Sequence, residues 1–243
     1  MFMNMRGAAS AAALSMAVIF GPAVASAASV TINATAPSWS NVVGGTNVNT
    51  GTSGTGNNTV TQVHWGSPSN SQSGLGFNPA NPPAAVVNTD TTFLLGTLTH
   101  YNEPINSGTA ASSARLNLAT TIAGAVPSTQ TFSYQFLIDE TPNTPPCAYP
   151  STTPCADRIT FNNLTTSSSF MIGGVPYTIE LLGFSSNGGA TISSSFISQE
   201  GGSNSIQLYA RITTPTPVPE PASFAILGAG LLGLAAARKR RQS

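Results

Sequence analysis

Phe132, Tyr134, Phe136 and Ile138 alternate with Ser133, Gln135 and Leu137 over residues 131–138. A period of two places four large apolar side chains on one face of an extended chain, and no helix can do the same. Shorter stretches repeat the pattern. Leu116 and Leu118 alternate with Arg115 and Asn117, and Tyr177, Ile179 and Leu181 keep step within 175–184. Further strands are expected at 29–34, 61–66, 73–77, 91–101, 158–161, 169–172, 190–198 and 205–212, with 91–101 bulged at Gly96. Turn residues separate them, and no amphipathic helix lies between the two ends. About nine short strands in this arrangement predict an all-β fold, an antiparallel, jelly-roll-like β-sandwich.

Both ends of the chain read as trafficking segments. Arg6 precedes an apolar run over 8–20, and Ala23, Val24, Ala25, Ser26 and Ala27 follow Gly21 and Pro22. That order is the pattern of a secretory signal peptide over 1–27, removed by signal peptidase. The other end runs Val218, Pro219, Glu220, Pro221, then an uncharged apolar stretch over 222–237, then Arg238, Lys239, Arg240 and Arg241. Sixteen helical residues cover roughly 24 Å, slightly short of the ~30 Å hydrocarbon core. Snorkelling cationic stems make up part of the difference. The basic run is expected on the cytoplasmic side of the inner membrane, with the Pro-Glu-Pro turn outside.

This three-part tail resembles the PEP-CTERM sorting signal of exopolysaccharide-producing Gram-negative bacteria. The resemblance implies recognition by an exosortase, a membrane-embedded cysteine transpeptidase, and tail removal near Val218, Pro219, Glu220 and Pro221. The protein would then be a substrate of that enzyme, released to the cell surface or the extracellular matrix.

The remaining chain divides into a polar segment with a first strand (28–60), the sandwich (61–212) and a Pro/Thr tether (213–221). Residues 44–58 contain almost no large apolar side chain and read as a loop or polar turn. Between residues 28 and 218, Arg115, Arg158 and Arg211 face seven acids, a net charge of −4 without a single lysine. Such a domain is a poor partner for a phosphate backbone, so nucleic acid is excluded as a ligand class.

The middle resembles the choice-of-anchor K domain of bacterial surface proteins. The matching residues are His64, Trp65 and Gly66; Ser73, Gly74 and Leu75; and 95–102 with Pro104 and Ile105. They continue with Glu140, Thr141, Pro142, Asn143, Cys147, Cys155, Asp157 and 177–184. The resemblance spans about residues 60–212. It implies an extracellular β-domain and no particular activity.

Catalytic chemistry has few residues to work with. His64 and His100 are the two histidines, and neither a Gly-x-Ser-x-Gly elbow nor a His-Glu-x-x-His pair occurs. Their separation gives no local zinc spacing, and His100 beside Asn102 reads as a strand-end histidine bonded to a turn. A non-enzymatic domain is expected. Cys147 and Cys155 in an exported chain are expected to form a disulfide. Around them, Asp139, Glu140, Asn143 and Asp157 could supply oxygens to Ca²⁺, which takes about six to eight; a solvated strand end is the alternative. Trp65, Tyr101 and Tyr149 are candidate stacking platforms for an extracellular polysaccharide. The leading expectation is a structural or adhesive surface protein, with a carbohydrate-binding module as the alternative and a hydrolase as a distant third.

Overall fold

The computed structural model describes residues 28–214 apart from 69, 81–85, 152–153 and 163–167, together with residues 228, 230, 231, 233, 234, 237, 238 and 240. Strand follows strand: β1 (Ser29–Val30), β2 (Ile32–Gly44), β3 (Asn49–Ser53), β4 (Val60–Trp65), β5 (Ser73–Pro79), β6 (Val87–Asn88), β7 (Thr92–Asn102) and β8 (Ala111–Ile122). Then come β9 (Ala125–Val126), β10 (Thr129–Asp139), β11 (Asp157–Asn162), β12 (Ser168–Ile172), β13 (Val175–Ser185), β14 (Ser195–Ser198) and β15 (Gly202–Thr213).

Two antiparallel sheets pack as a sandwich. One has five strands in the order β14-β11-β10-β8-β2, the other eight in the order β3-β4-β5-β7-β15-β13-β12-β9, and β1 pairs with β6 in a small third sheet. The alternating face of β10 supplies the centre: Phe132, Tyr134, Phe136 and Ile138 are all buried, alongside Leu116 and Leu118 of β8. The opposite sheet answers with Val63, Trp65, Leu75, Phe77, Leu98, Ile179 and Leu208. Phe184 of β13 joins the two layers, since its ring meets Phe161 edge-on at 5.5 Å, Phe196 at 6.1 Å and Phe136 at 6.2 Å. A polar tie adds to these contacts, as the Trp39 indole of β2 donates to the Thr61 carbonyl of β4 at 2.9 Å.

The register of β7 against β15 shifts beside Gly96, where Leu208 faces Gly96 but Tyr209 faces Leu94. Leu95 is the extra residue of this bulge. Glycine is required next to it, because a Cβ there would lie 2.4 Å from Phe77 Cζ and 2.5 Å from the Asn78 carbonyl oxygen.

The polar stretch expected as a loop over 44–58 is partly strand. β2 runs on to Gly44, and β3 pairs with β4 along its whole length. All five β3 residues are exposed. An edge strand held by backbone hydrogen bonds needs no apolar side chains, and a polar edge discourages further pairing. The stretch expected as strand over 190–198 contracts to Ser195–Ser198, preceded by a single bridge between Phe184 and Ser193.

The signal segment 1–27, the turn residues Val218, Pro219, Glu220 and Pro221, and Lys239 and Arg241 lie outside the described residues. The described tail positions, Arg238 and Arg240 among them, are helical and exposed. No helix of the described residues is long and apolar enough to cross a membrane.

Candidate functional site

Along β7 the inward positions read Leu98, His100, Asn102, and all three are completely buried. Two polar residues on the core face of a central strand must find partners there. The backbone of this stretch is satisfied by pairing with β5 on one side and β15 on the other. The Asn102 side-chain amide donates to the Ser198 carbonyl at 3.0 Å. Its Oδ1 atom has no hydrogen-bond partner among the described residues, and neither ring nitrogen of His100 has one. The turn contact expected for His100 is therefore not made. Its ring stacks on Trp65 instead, with centroids 6.4 Å apart.

Three carboxyl groups converge on the same end of the sandwich. Glu140 follows β10, Asp157 opens β11, and Glu200 sits between β14 and β15. One ring nitrogen of His100 and one oxygen each of Glu140 and Asp157 lie within 4.8 Å of one another. Asp157 is fully buried and Glu200 is 5% exposed. Asp157 Oδ1 accepts the Thr141 amide at 2.8 Å. Its Oδ2, Glu140 Oε2, both Glu200 carboxyl oxygens, Asn143 Oδ1 and Ser198 Oγ are buried without a well-formed hydrogen bond among the described residues, with Glu140 and Asp157 near enough to share a proton and Asn143 near Glu200. Leaving such atoms unpaired costs about 1–3 kcal/mol each, so their concentration in one place calls for a cause.

The electrostatics are correspondingly severe. Burial, then repulsion from Asp157 and Glu200, pushes Glu140 up to about 9. Burial raises Asp157 to about 6 against the pull of the Thr141 amide, and burial with Asp157 nearby raises Glu200 to about 7, partly offset by Asn143. Burial alone depresses His100 to about 3, so the imidazole is neutral. Among the described residues no guanidinium offsets the acids: Arg158 turns to Asp139 at 3.4 Å, and Arg211 turns to Glu180 at 2.8 Å. Chemically the group is a set of oxygen donors with one imidazole nitrogen, suited to holding a cation.

Of the four residues expected around a cation, Glu140, Asn143 and Asp157 are thus brought together. Asp139 is not: its carboxylate accepts the Tyr149 hydroxyl and the Arg158 guanidinium on the outer surface. Alternation along β10 decides this, since Ile138 is buried and Asp139 must face out. Sequence reasoning misses Glu200, Ser198, and the pairing of His100 with Asn102 as a site. The available signal is the break in an apolar inward face at two alternate positions of β7.

Cys147 and Cys155 are bonded, with Cα atoms 5.0 Å apart, and close the loop between β10 and β11. The aromatic candidates separate. Trp65 is fully buried and cannot stack on an external sugar, because β4 alternation turns it inward with Val63 while His64 faces out. The Tyr149 ring is covered by the Arg158 guanidinium at 4.9 Å. Tyr101 remains open on one side, its ring 5.1 Å from that of His64 and its hydroxyl accepting from Gln62 at 2.6 Å. Together with Asn49, Gln72 and Glu103 they line a shallow hollow of about 490 Å³.

Residues 217–241 match the family described as the PEP-CTERM protein-sorting motif. No curated protein matches the chain. A motif of this kind marks a protein that is exported, held at the membrane and then sorted by an exosortase; here it follows a β-rich domain.

Proposed function

We propose that this protein is a structural or adhesive component of the bacterial surface or exopolysaccharide matrix, released there after its tail is removed, and that its sandwich acts without catalysis. The observation that carries the reading is the sorting motif over 217–241 directly behind a sandwich that ends at Thr213. An exosortase-bearing host handles such a chain as cargo. The residues that resemble the choice-of-anchor K domain all fall within β4 to β15, which supports reading the sandwich as a domain of that kind. His100 is fully buried and out of reach of an external substrate. Expression of the tagged full chain in such a host, followed by fractionation, tests the reading. The protein should appear in the surface and matrix fractions, and retention in the inner membrane would contradict this function.

One observation favours a second reading, polysaccharide binding. The hollow around Tyr101 and His64 offers a ring face beside amide and carboxylate groups, the combination that grips sugar hydroxyls while a ring covers their apolar face. A glycan array separates the two readings, and a turnover screen on the same protein addresses the hydrolase alternative.

A further inference from the structure

We propose that the buried group at the end of the sandwich is a divalent metal site, with His100, Glu140 and Asp157 as ligands and Glu200 beside them, and that the ion is of the manganese or zinc type. The chain's own geometry carries this. Three ligand atoms from three separate strands or their ends lie within 4.8 Å of one another; one ion with bonds of about 2.0–2.2 Å spans at most about 4.4 Å, so the side chains need to close in by less than about 1 Å to share it. His100 supplies the independent sign: it is fully buried, both of its ring nitrogens lack partners among the described residues, and one of them belongs to that trio. An imidazole nitrogen among carboxylates suits manganese or zinc better than calcium, which prefers an all-oxygen shell.

Charge and access agree. Three carboxyl groups converge without a facing arginine among the described residues, and a divalent cation would favour the ionised form of each. It would also supply a partner for the orphan oxygens of Asn102, Asn143 and Ser198, directly or through water. A cleft of about 340 Å³ borders Glu140 and Asn143 and gives an ion a way in from solvent.

The placement indicates what the ion would do. His100 belongs to the eight-stranded sheet and Asp157 to the five-stranded sheet, where it stands opposite Ser198. Glu140 and Asp157 flank the disulfide-closed loop. One ion would therefore tie both sheets and that loop together at a single end. So many protein donors leave little room for substrate, which is the mark of a structural site and not a catalytic one.

The test uses the full chain, produced by export so that the disulfide forms and purified in detergent. Elemental analysis should find stoichiometric manganese or zinc. Stripping with a chelator should lower the melting temperature, and restoring either metal at about a hundredfold above its dissociation constant should raise it by roughly 5–10 °C. Cobalt substitution should give a visible spectrum that reports a nitrogen ligand. Glu140→Gln and Asp157→Asn should each abolish the shift, whereas Asp139→Asn should leave it intact. If the isosteric variants do not fold, the wild-type titration and the cobalt spectrum still decide. A melting curve indifferent to chelator and to both metals overturns the proposal. So does a response to calcium alone, because the imidazole would then not be a ligand.

Discussion

Asp139 and Glu140 are neighbours in the chain but face opposite environments. Asp139 lies on the surface with Arg158 at 3.4 Å, and Glu140 turns in towards Asp157, where no arginine among the described residues favours its ionised form. The end of β10 separates them: strand alternation still holds for Asp139, and the chain is free to bend only after it. A surface ion pair contributes about 0–1 kcal/mol. Replacing Asp139 by Asn should therefore change stability by less than about 1 kcal/mol, as read from chemical denaturation midpoints at constant slope. A larger loss would show that Asp139 supports the buried group after all.

Phe184 meets three other rings between the sheets, Phe136, Phe161 and Phe196, and it is 1% exposed. Phe184→Ala should destabilise the sandwich by about 3–5 kcal/mol, the usual cost of emptying a buried aromatic site. Thermal unfolding monitored by circular dichroism measures it, and a loss below about 1 kcal/mol would mean the two sheets do not depend on this contact.

The central strand is legible in the amino-acid sequence itself. Phe132, Tyr134, Phe136 and Ile138 announce it, because alternation on a half-buried sheet writes itself directly into residue type. β3 leaves no such trace: its five residues are exposed, and backbone pairing with polar ties such as Gln62 donating to Ser53 Oγ at 2.7 Å places it. The buried polar group is half legible. Glu140, Asn143 and Asp157 are close in sequence and so can be grouped, whereas Glu200 and His100 reach them only through sheet topology. Trp65 misleads for a related reason, since an aromatic residue in a polar neighbourhood looks available for stacking until the strand's phase is known.

Closing the loop between Cys147 and Cys155 should contribute roughly 2–3 kcal/mol by restricting the unfolded chain. Replacing both by Ser should loosen the segment between β10 and β11 and leave the sandwich folded. Amide hydrogen exchange would show faster exchange confined to that loop. Faster exchange in β8 and β10 as well would contradict the local role.

Tyr101→Ala tests the hollow on the outer face of the eight-stranded sheet. Removing an aromatic stacking surface typically costs a binding site more than about 1 kcal/mol, so a glycan retained by the wild type should be lost from the array at equal concentration. Unchanged retention would move any sugar site away from Tyr101 and His64.

If this protein is sorted cargo, the chemistry that makes it so is concentrated in Pro219, Glu220 and Pro221. Proline cannot continue a helix, so the two prolines are expected to offer a processing enzyme non-helical backbone to grip. The most direct measurement is intact-mass analysis of the wild type and of a variant with all three replaced by alanine, both made in a host that carries an exosortase. The mature wild-type protein should lack residues 238–243, and the variant should accumulate uncut in the membrane. Wild-type protein at the surface that still carries those residues, or a variant trimmed like the wild type, would contradict sorting through this tail.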